Sequence, residues 1–249
     1  MSEKIPQTLD GVSKTLLMTL YVRARESQRL DGMIKDEQAV EMVNKLDCDF
    51  SRLCMHRHDE VAVVLRMRKF DNHVRDFLKR NPDSVIVHIG CGLDTRFERV
   101  DNGYVEWFDL DMPDVIELRK KLLDNENSRY HMLAASVFDQ NWLEEVSRFK
   151  PRSFLFMAEG VFPYFEESQI KALFLTLSEK FPGVELVCDA HTPFIIWVDN
   201  LQLAYAKVDA RLHWSLKHGR DVETWGASIH LLDEWNYYDD NEPGLKAFR

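Results

Sequence analysis

The segment that most constrains the fold is Val85-Ile86-Val87-His88-Ile89-Gly90-Cys91-Gly92-Leu93-Asp94-Thr95-Arg96, followed by Trp107-Phe108-Asp109-Leu110-Asp111. An apolar run stops at two glycines one residue apart, and a second apolar run ends in carboxylates about 20 residues later, the pattern by which α/β proteins build a nucleoside site. Glycine lets the chain turn sharply after a strand and lets backbone lie against a ligand. Asp111, rather than Asp109, is expected at the carboxyl end of the next strand, where its two oxygens can accept both hydroxyls of a ribose. A dinucleotide site wants a third glycine at position 95, close to a pyrophosphate. Here position 95 is Thr95 and position 94 is Asp94. A carboxylate beside the turn repels a diphosphate and suits a cationic sulfonium ligand, which points to S-adenosylmethionine rather than NAD.

Three motifs, His88-Ile-Gly-Cys-Gly-Leu-Asp-Thr-Arg96, Trp107-Phe-Asp-Leu-Asp-Met-Pro-Asp-Val115 and Ala158-Glu-Gly-Val-Phe-Pro-Tyr164, resemble the leucine carboxyl methyltransferase family. The likeness is greatest to its bacterial branch, similar to the tetracenomycin polyketide O-methyltransferase, and runs from about Ser13 to the chain end. It implies a Rossmann-like class I methyltransferase fold with a mostly parallel seven-stranded sheet, one strand antiparallel, helices on both faces and an N-terminal helical lid. It also places Lys14 and Arg68 where such enzymes hold the cofactor carboxylate. Arg66 precedes Arg68 by two residues, so that correspondence can slip onto it. Leucine-specific members carry an acid where this chain has Ser136.

Periodicity supplies the rest of the order. Helices are expected near 13–26 with Ser13 as N-cap, 36–46 and 59–79, the last ending before Asn81-Pro82. Strands are expected near 85–89, 104–110, 130–133, 154–158 and 184–190, with helices near 113–123, 140–146 and 166–181. Apolar strands alternating with helices make a parallel sheet covered on both faces, with ligands at its carboxyl ends. A long aromatic-rich helix over 194–217, readable as core packing or as an acceptor wall, and two strands near 228–232 and 234–238 complete the reading. The expected organisation is one structural domain, with residues 1–80 as a helical cap and 81–249 as the cofactor-binding core.

With 249 residues, 45% of them hydrophobic, the chain is long enough for one well-cored α/β domain. Its formal charge of −10 disfavours nucleic acid and anionic membrane surfaces. Four scattered cysteines, Cys48, Cys54, Cys91 and Cys188, suit reduced thiols and imply no disulfide framework or zinc ribbon. The first residues lack the build of a signal peptide and no run of 18 apolar residues occurs, so a cytoplasmic protein is expected. No metal site is expected: Cys54-Met-His56-Arg-His58-Asp59 lacks a second ligand cluster.

Methyl transfer from a sulfonium requires alignment of the acceptor oxygen, exclusion of water and, for a hydroxyl acceptor, removal of its proton. Glu159, at the fourth strand's exit, can hold the cofactor amine, and Phe162 and Tyr164 can offer ring faces to the cation. At the third strand's exit, Ser136 and the Val137 backbone can face the adenine edge. His191, two residues past Asp189, is the candidate base for a phenol, so Tyr164 and His191 are the candidate catalytic residues. The expected partner is a small aromatic or polyketide-like acceptor carrying a hydroxyl or carboxylate, with monomer and dimer both open. NAD-dependent oxidoreduction and a non-catalytic cofactor-binding scaffold are the alternatives.

Overall fold

The computed structural model describes residues 4–6, 9, 15–53, 56–124, 127–205 and 210–236. Five strands, β1 (Val85–Ile89), β2 (Glu106–Asp111), β3 (Tyr130–Ala134), β4 (Phe154–Ala158) and β5 (Glu185–Cys188), form one parallel sheet in the order β3-β2-β1-β4-β5. The order reverses at β1, so the connections leaving the paired strands β1 and β4 run to opposite faces of the sheet, the place where open α/β sheets form a crevice at their carboxyl ends. In register, Ile89 pairs with Leu110 on one side and Ala158 on the other, and Asp111 pairs with Ala134. The strand exits that carry the sequence motifs therefore end at one level.

Alternation along β1 sorts the core into two layers. Val85, Val87 and Ile89 face a cluster with Trp142, Leu143 and Val146 of α6 (Asn141–Ser147) and Ile170, Leu173 and Leu177 of α7 (Glu167–Lys180). Ile86, with Trp107 and Leu155, faces Phe70, Val74 and Phe77 of α3 (Arg57–Arg80) and Phe97 and Val100 of α4 (Arg96–Val100). A parallel sheet survives only with both faces covered, and here α3 supplies much of one cover. The helices α1 (Thr15–Ser27) and α2 (Glu37–Lys45) instead build a third cluster with α5 (Pro113–Leu122), through Leu17, Leu20, Ala39, Met42, Val115 and Leu118. Asp36 caps α2 by accepting from Ala39 N at 2.9 Å.

The carboxyl-terminal third departs from expectation. The helix α8 spans Pro193–Tyr205, and residues 210–217 are not helical. The cause is packing: Trp214 is buried against Phe162 and Trp225, and His213 and Trp214 N–H both donate to Pro163 O, which holds this stretch across the β4 exit. The strand expected at 228–232 is absent, and residues 233–236 are likewise irregular, with 237–238 outside the described residues. The sheet described has five parallel strands instead of seven with one antiparallel, and β5 is its edge. No helix among the described residues is long and apolar enough to cross a membrane, and no group of potential metal ligands occurs among them.

Candidate functional site

The turn after β1 has the geometry its glycines predict. Gly90 and Gly92 both adopt left-handed backbone, with φ of +63° and +52°. A Cβ on Gly90 would overlap Val161, and one on Gly92 would lie 3.4 Å from Leu16. Arg119 braces the turn from below, donating from Nη1 to Gly92 O and Asp94 O at 2.8 Å each.

Asp111 closes the floor. Its Oδ2 accepts from Gly92 N and its Oδ1 from Met112 N, each at 2.7 Å, which leaves a lone pair on each oxygen for a further hydroxyl. Burial pushes the Asp111 carboxyl above its ordinary value of 3.8, against the lowering effect of these N–H donors. Asp109 serves the core instead: it is buried with Trp107 Nε1, the Tyr130 hydroxyl and Arg119 donating to it. At the β3 exit, Ser136 Oγ accepts from Phe138 N at 3.3 Å, while Val137 is buried and its carbonyl accepts from Trp142 Nε1. This turn borders Asp111 directly, since Ala135 N donates to Asp111 O at 3.0 Å.

Beyond the turn lies a belt of buried charge. Arg96, with no exposed side-chain surface, pairs with Asp71 at 2.6 Å, Asp94 at 3.1 Å and Glu159 at 2.6 Å. Arg99 pairs with Asp36, Asp71 and Asp94 at 2.9–3.0 Å, and Arg23 donates to Asp36 at 3.0 Å. Burial opposes ionisation of Asp94, yet Arg96, Arg99 and Arg23 hold its carboxyl well below the ordinary range. Asp94 is thus neutralised within the protein, which corrects the expectation that its charge faces a cationic ligand.

Glu159 links this belt to the crevice. Arg66 Nε donates to its Oε1 at 2.8 Å while Arg66 Nη1 donates to Asp189 at 3.1 Å, and Asp189 in turn accepts from Gly160 N at 2.8 Å. Burial raises the Glu159 carboxyl, but Arg96 and Arg66 together hold it below its ordinary value. Arg68 lies elsewhere, in a cleft of ~500 Å³ lined by Asp36, Asp71, Arg75 and Arg99 among others. The arginine of α3 at the strand exits is therefore Arg66, two positions earlier. Lys14 lies outside the described residues.

On the β5 side, His191 Nδ1 lies 3.1 Å from Asp199 of α8, and its Nε2 lies 4.0 Å from Asp189. Tyr164 ends the one-turn Phe162–Tyr164 helix; its hydroxyl pairs with Thr15 and burial raises its pKa. Asp189 bridges Arg66 to the β4 exit and stands near His191, so Glu159, Tyr164 and His191 border one region. The contacts of Arg66, Arg96, Asp189 and Asp199 are not legible in the sequence. Arg66 and Asp189 lie inside motifs that the sequence does mark, whereas the helical position of Asp199, eight residues after His191, gives no signal of its own.

A family model described as leucine carboxyl methyltransferase matches residues 16–178. The tetracenomycin polyketide synthesis O-methyltransferase of Streptomyces glaucescens is 34% identical over 232 residues, covering 93% of this chain and 85% of that protein. An S-adenosyl-L-methionine-dependent methyltransferase of Gibberella zeae is 30% identical over 237 residues, 87% of this chain and 79% of its own length. Among solved structures, a candidate methyltransferase from Thermobifida fusca is similar in fold, with a TM-score of 0.52 at 15% identity over 78% of this chain and 74% of that one.

Proposed function

Since the chain belongs to the leucine carboxyl methyltransferase family, we propose that it transfers a methyl group from S-adenosylmethionine to an oxygen of a small acceptor, with the cofactor in the crevice above β1 and β2. The observation that carries this reading is the pair of left-handed glycines facing a carboxylate that retains two free lone pairs, 2.7 Å from the second glycine's N–H. This donor set fits the cofactor: an acid for ribose hydroxyls, an arginine for a carboxylate and a buried acid for an ammonium. When bound, S-adenosylmethionine supplies an activated methyl carbon and a thioether leaving group.

The chain's residues supply binding, alignment and proton management. Gly90 and Gly92 form the floor, Asp111 holds the ribose, and Ser136 with the Val137 backbone borders the adenine. Arg66 takes the methionine carboxylate, in the role the family resemblance gives to Arg68, and Lys14 remains a second candidate for that carboxylate. Glu159, anchored by Arg96, takes the amine. Tyr164 offers a ring face toward the sulfonium. His191, with Nδ1 directed to Asp199, presents Nε2 as proton acceptor when the acceptor is a hydroxyl; a carboxylate acceptor needs none.

We read the acceptor as a small aromatic or polyketide-like molecule bearing a hydroxyl or carboxylate; the similarity to the Streptomyces glaucescens enzyme supports this. The net charge of −10 supports a partner other than nucleic acid, and its cysteine usage supports a cytoplasmic setting. Calorimetry should give micromolar S-adenosylmethionine binding, and incubation with methyl-labelled cofactor and a panel of phenols and aromatic acids should give a labelled product. Cofactor binding with no labelled product from any acceptor would favour the scaffold alternative. On a phenolic acceptor, His191→Ala should lower kcat by about 10²–10⁴-fold, and on a carboxylate it should leave kcat nearly unchanged. An equal loss on both would remove His191 from the proton-transfer role.

A further inference from the structure

The helix α8 is apolar nearly all round, yet among its residues only Ile196 is buried. Phe194, Trp197, Leu201 and Tyr205 are 66%, 59%, 53% and 90% exposed. A helix apolar on every side normally lies within a core, and a 13-residue helix gains little stability without packing. Its ties to the body are polar: Asp199 to His191, and Asn200, whose side chain brackets the backbone of Leu212 at 2.8 and 2.9 Å. Asp199 and Asn200 lie on the inner face with Ile196. At 100° per residue the exposed stripe lies on the opposite face, directed away from His191, so the aromatic stripe is neither core packing nor an acceptor wall.

We propose that this outward face of α8 is the interface of a homodimer, packed against α8 of a second copy. The spacing identifies the kind of partner. Phe194, Trp197, Leu201 and Ala204 follow the alternating steps of three and four that seat one helix against another, with Tyr205 flanking the seam. Two copies of one such stripe are self-complementary about a two-fold axis between Trp197 and Leu201. Charge selects the second copy over a membrane. The chain carries −10 overall and repels itself across most of its surface, whereas the only charged residue of α8, Asp199, points inward. A membrane-surface helix would carry lysine or arginine on its polar face, and α8 has neither. The size is also sufficient: with an aromatic side chain burying about 150–250 Å², three partly exposed aromatics and Leu201 offer on the order of 500 Å² per copy, near the ~1,000 Å² total of a specific interface.

Sedimentation equilibrium of the full chain between 1 and 100 µM tests this. The wild-type chain should be dimeric with a micromolar Kd, and Trp197→Glu and Leu201→Glu should each raise that Kd at least 100-fold while circular dichroism and S-adenosylmethionine binding stay as in wild type. A wild-type chain monomeric at 100 µM overturns the proposal, as does a dimer that both variants leave intact. Cosedimentation with phosphatidylcholine vesicles, abolished by the same variants while the chain in solution is monomeric, would assign the face to lipid and also overturn it.

Discussion

The two halves of the sheet are built differently. Around β1 and β2, the strands are almost wholly buried, the connecting turn is braced by Arg119, and a belt of arginines and carboxylates fills the space beneath α3 and α4. Around β5, every strand residue is only partly buried and the following helix buries one residue. On the proposed function the first half holds the cofactor, whose shape is fixed, and the second presents His191 to the acceptor, so buried contacts are concentrated where geometry must be invariant. Affinity for cofactor and discrimination among acceptors should therefore respond to different substitutions.

The sharpest way to break this comparison is to remove the centre of the belt. Arg96→Met leaves Asp71, Asp94 and Glu159 short of a buried partner and should cost about 3–5 kcal/mol in urea unfolding, against less than ~1 kcal/mol for removing the exposed Arg80 to Glu185 pair beside β5. Equal costs would mean the belt is not what stiffens the first half. Acid probes the same network. Asp71, Asp94 and Glu159 have lowered folded values, so their contribution is complete above the ordinary values of 3.8 and 4.5 and is lost as pH falls through the lowered ones. Asp111 has a raised value and opposes this trend, since its contribution is present below 3.8 and lost as pH rises through the folded value. Melting temperature should thus drop steeply below pH ~4, and a flat profile to pH 3 would contradict the assignment.

A glycine pair sharpens the contrast next. Gly90→Ala meets both a left-handed backbone and Val161, and should cost about 2–4 kcal/mol together with cofactor binding. Gly183→Ala, before β5, has φ +79° but open space around its Cβ, and should cost only about 1–2 kcal/mol without affecting the cofactor. On binding alone, Asp111→Ala should weaken S-adenosylmethionine by about 1–3 kcal/mol in calorimetry, with acceptor KM unchanged. Unchanged cofactor affinity would place the ribose acid elsewhere.

This asymmetry also explains what is legible in the sequence. Gly90, Gly92 and Asp111 are readable because a turn after a buried strand tolerates few residue types and the next strand's end follows at a set distance. The five strands are readable because continuous apolar runs and helices alternate. Arg66 and Arg68 are hard to tell apart because helical spacing puts residues two apart on different faces, and sequence does not say which face meets the sheet. Asp94 reads as a ligand residue because its arginine partners, Arg23 of α1 and Arg96 and Arg99 of α4, close around it only once the chain has folded. The helix over 194–217 reads too long because Leu201, Tyr205, Val208, Leu212 and Leu216 keep steps of three and four in the sequence, although Leu212 and Leu216 lie in a non-helical segment held by the buried Trp214. The strands expected near 228–232 and 234–238 rest on short apolar stretches around Ile229 to Leu232 and Trp235, and residues 228–236 are irregular instead.

Asp36 caps α2, accepts the Thr95 hydroxyl at 2.7 Å, and pairs with Arg23 and Arg99, while Arg23 also donates to Leu93 O. One carboxylate therefore ties the amino-terminal helices to the loop below the nucleoside. Excising those helices would strip Asp36 away and strand Arg99 among fewer acids, so a fragment beginning at β1 would lose the footing of its own cofactor loop. Any hinge motion between this prelude and the sheet has to break the Asp36 pairs with Arg23, Arg99 and Thr95 at once.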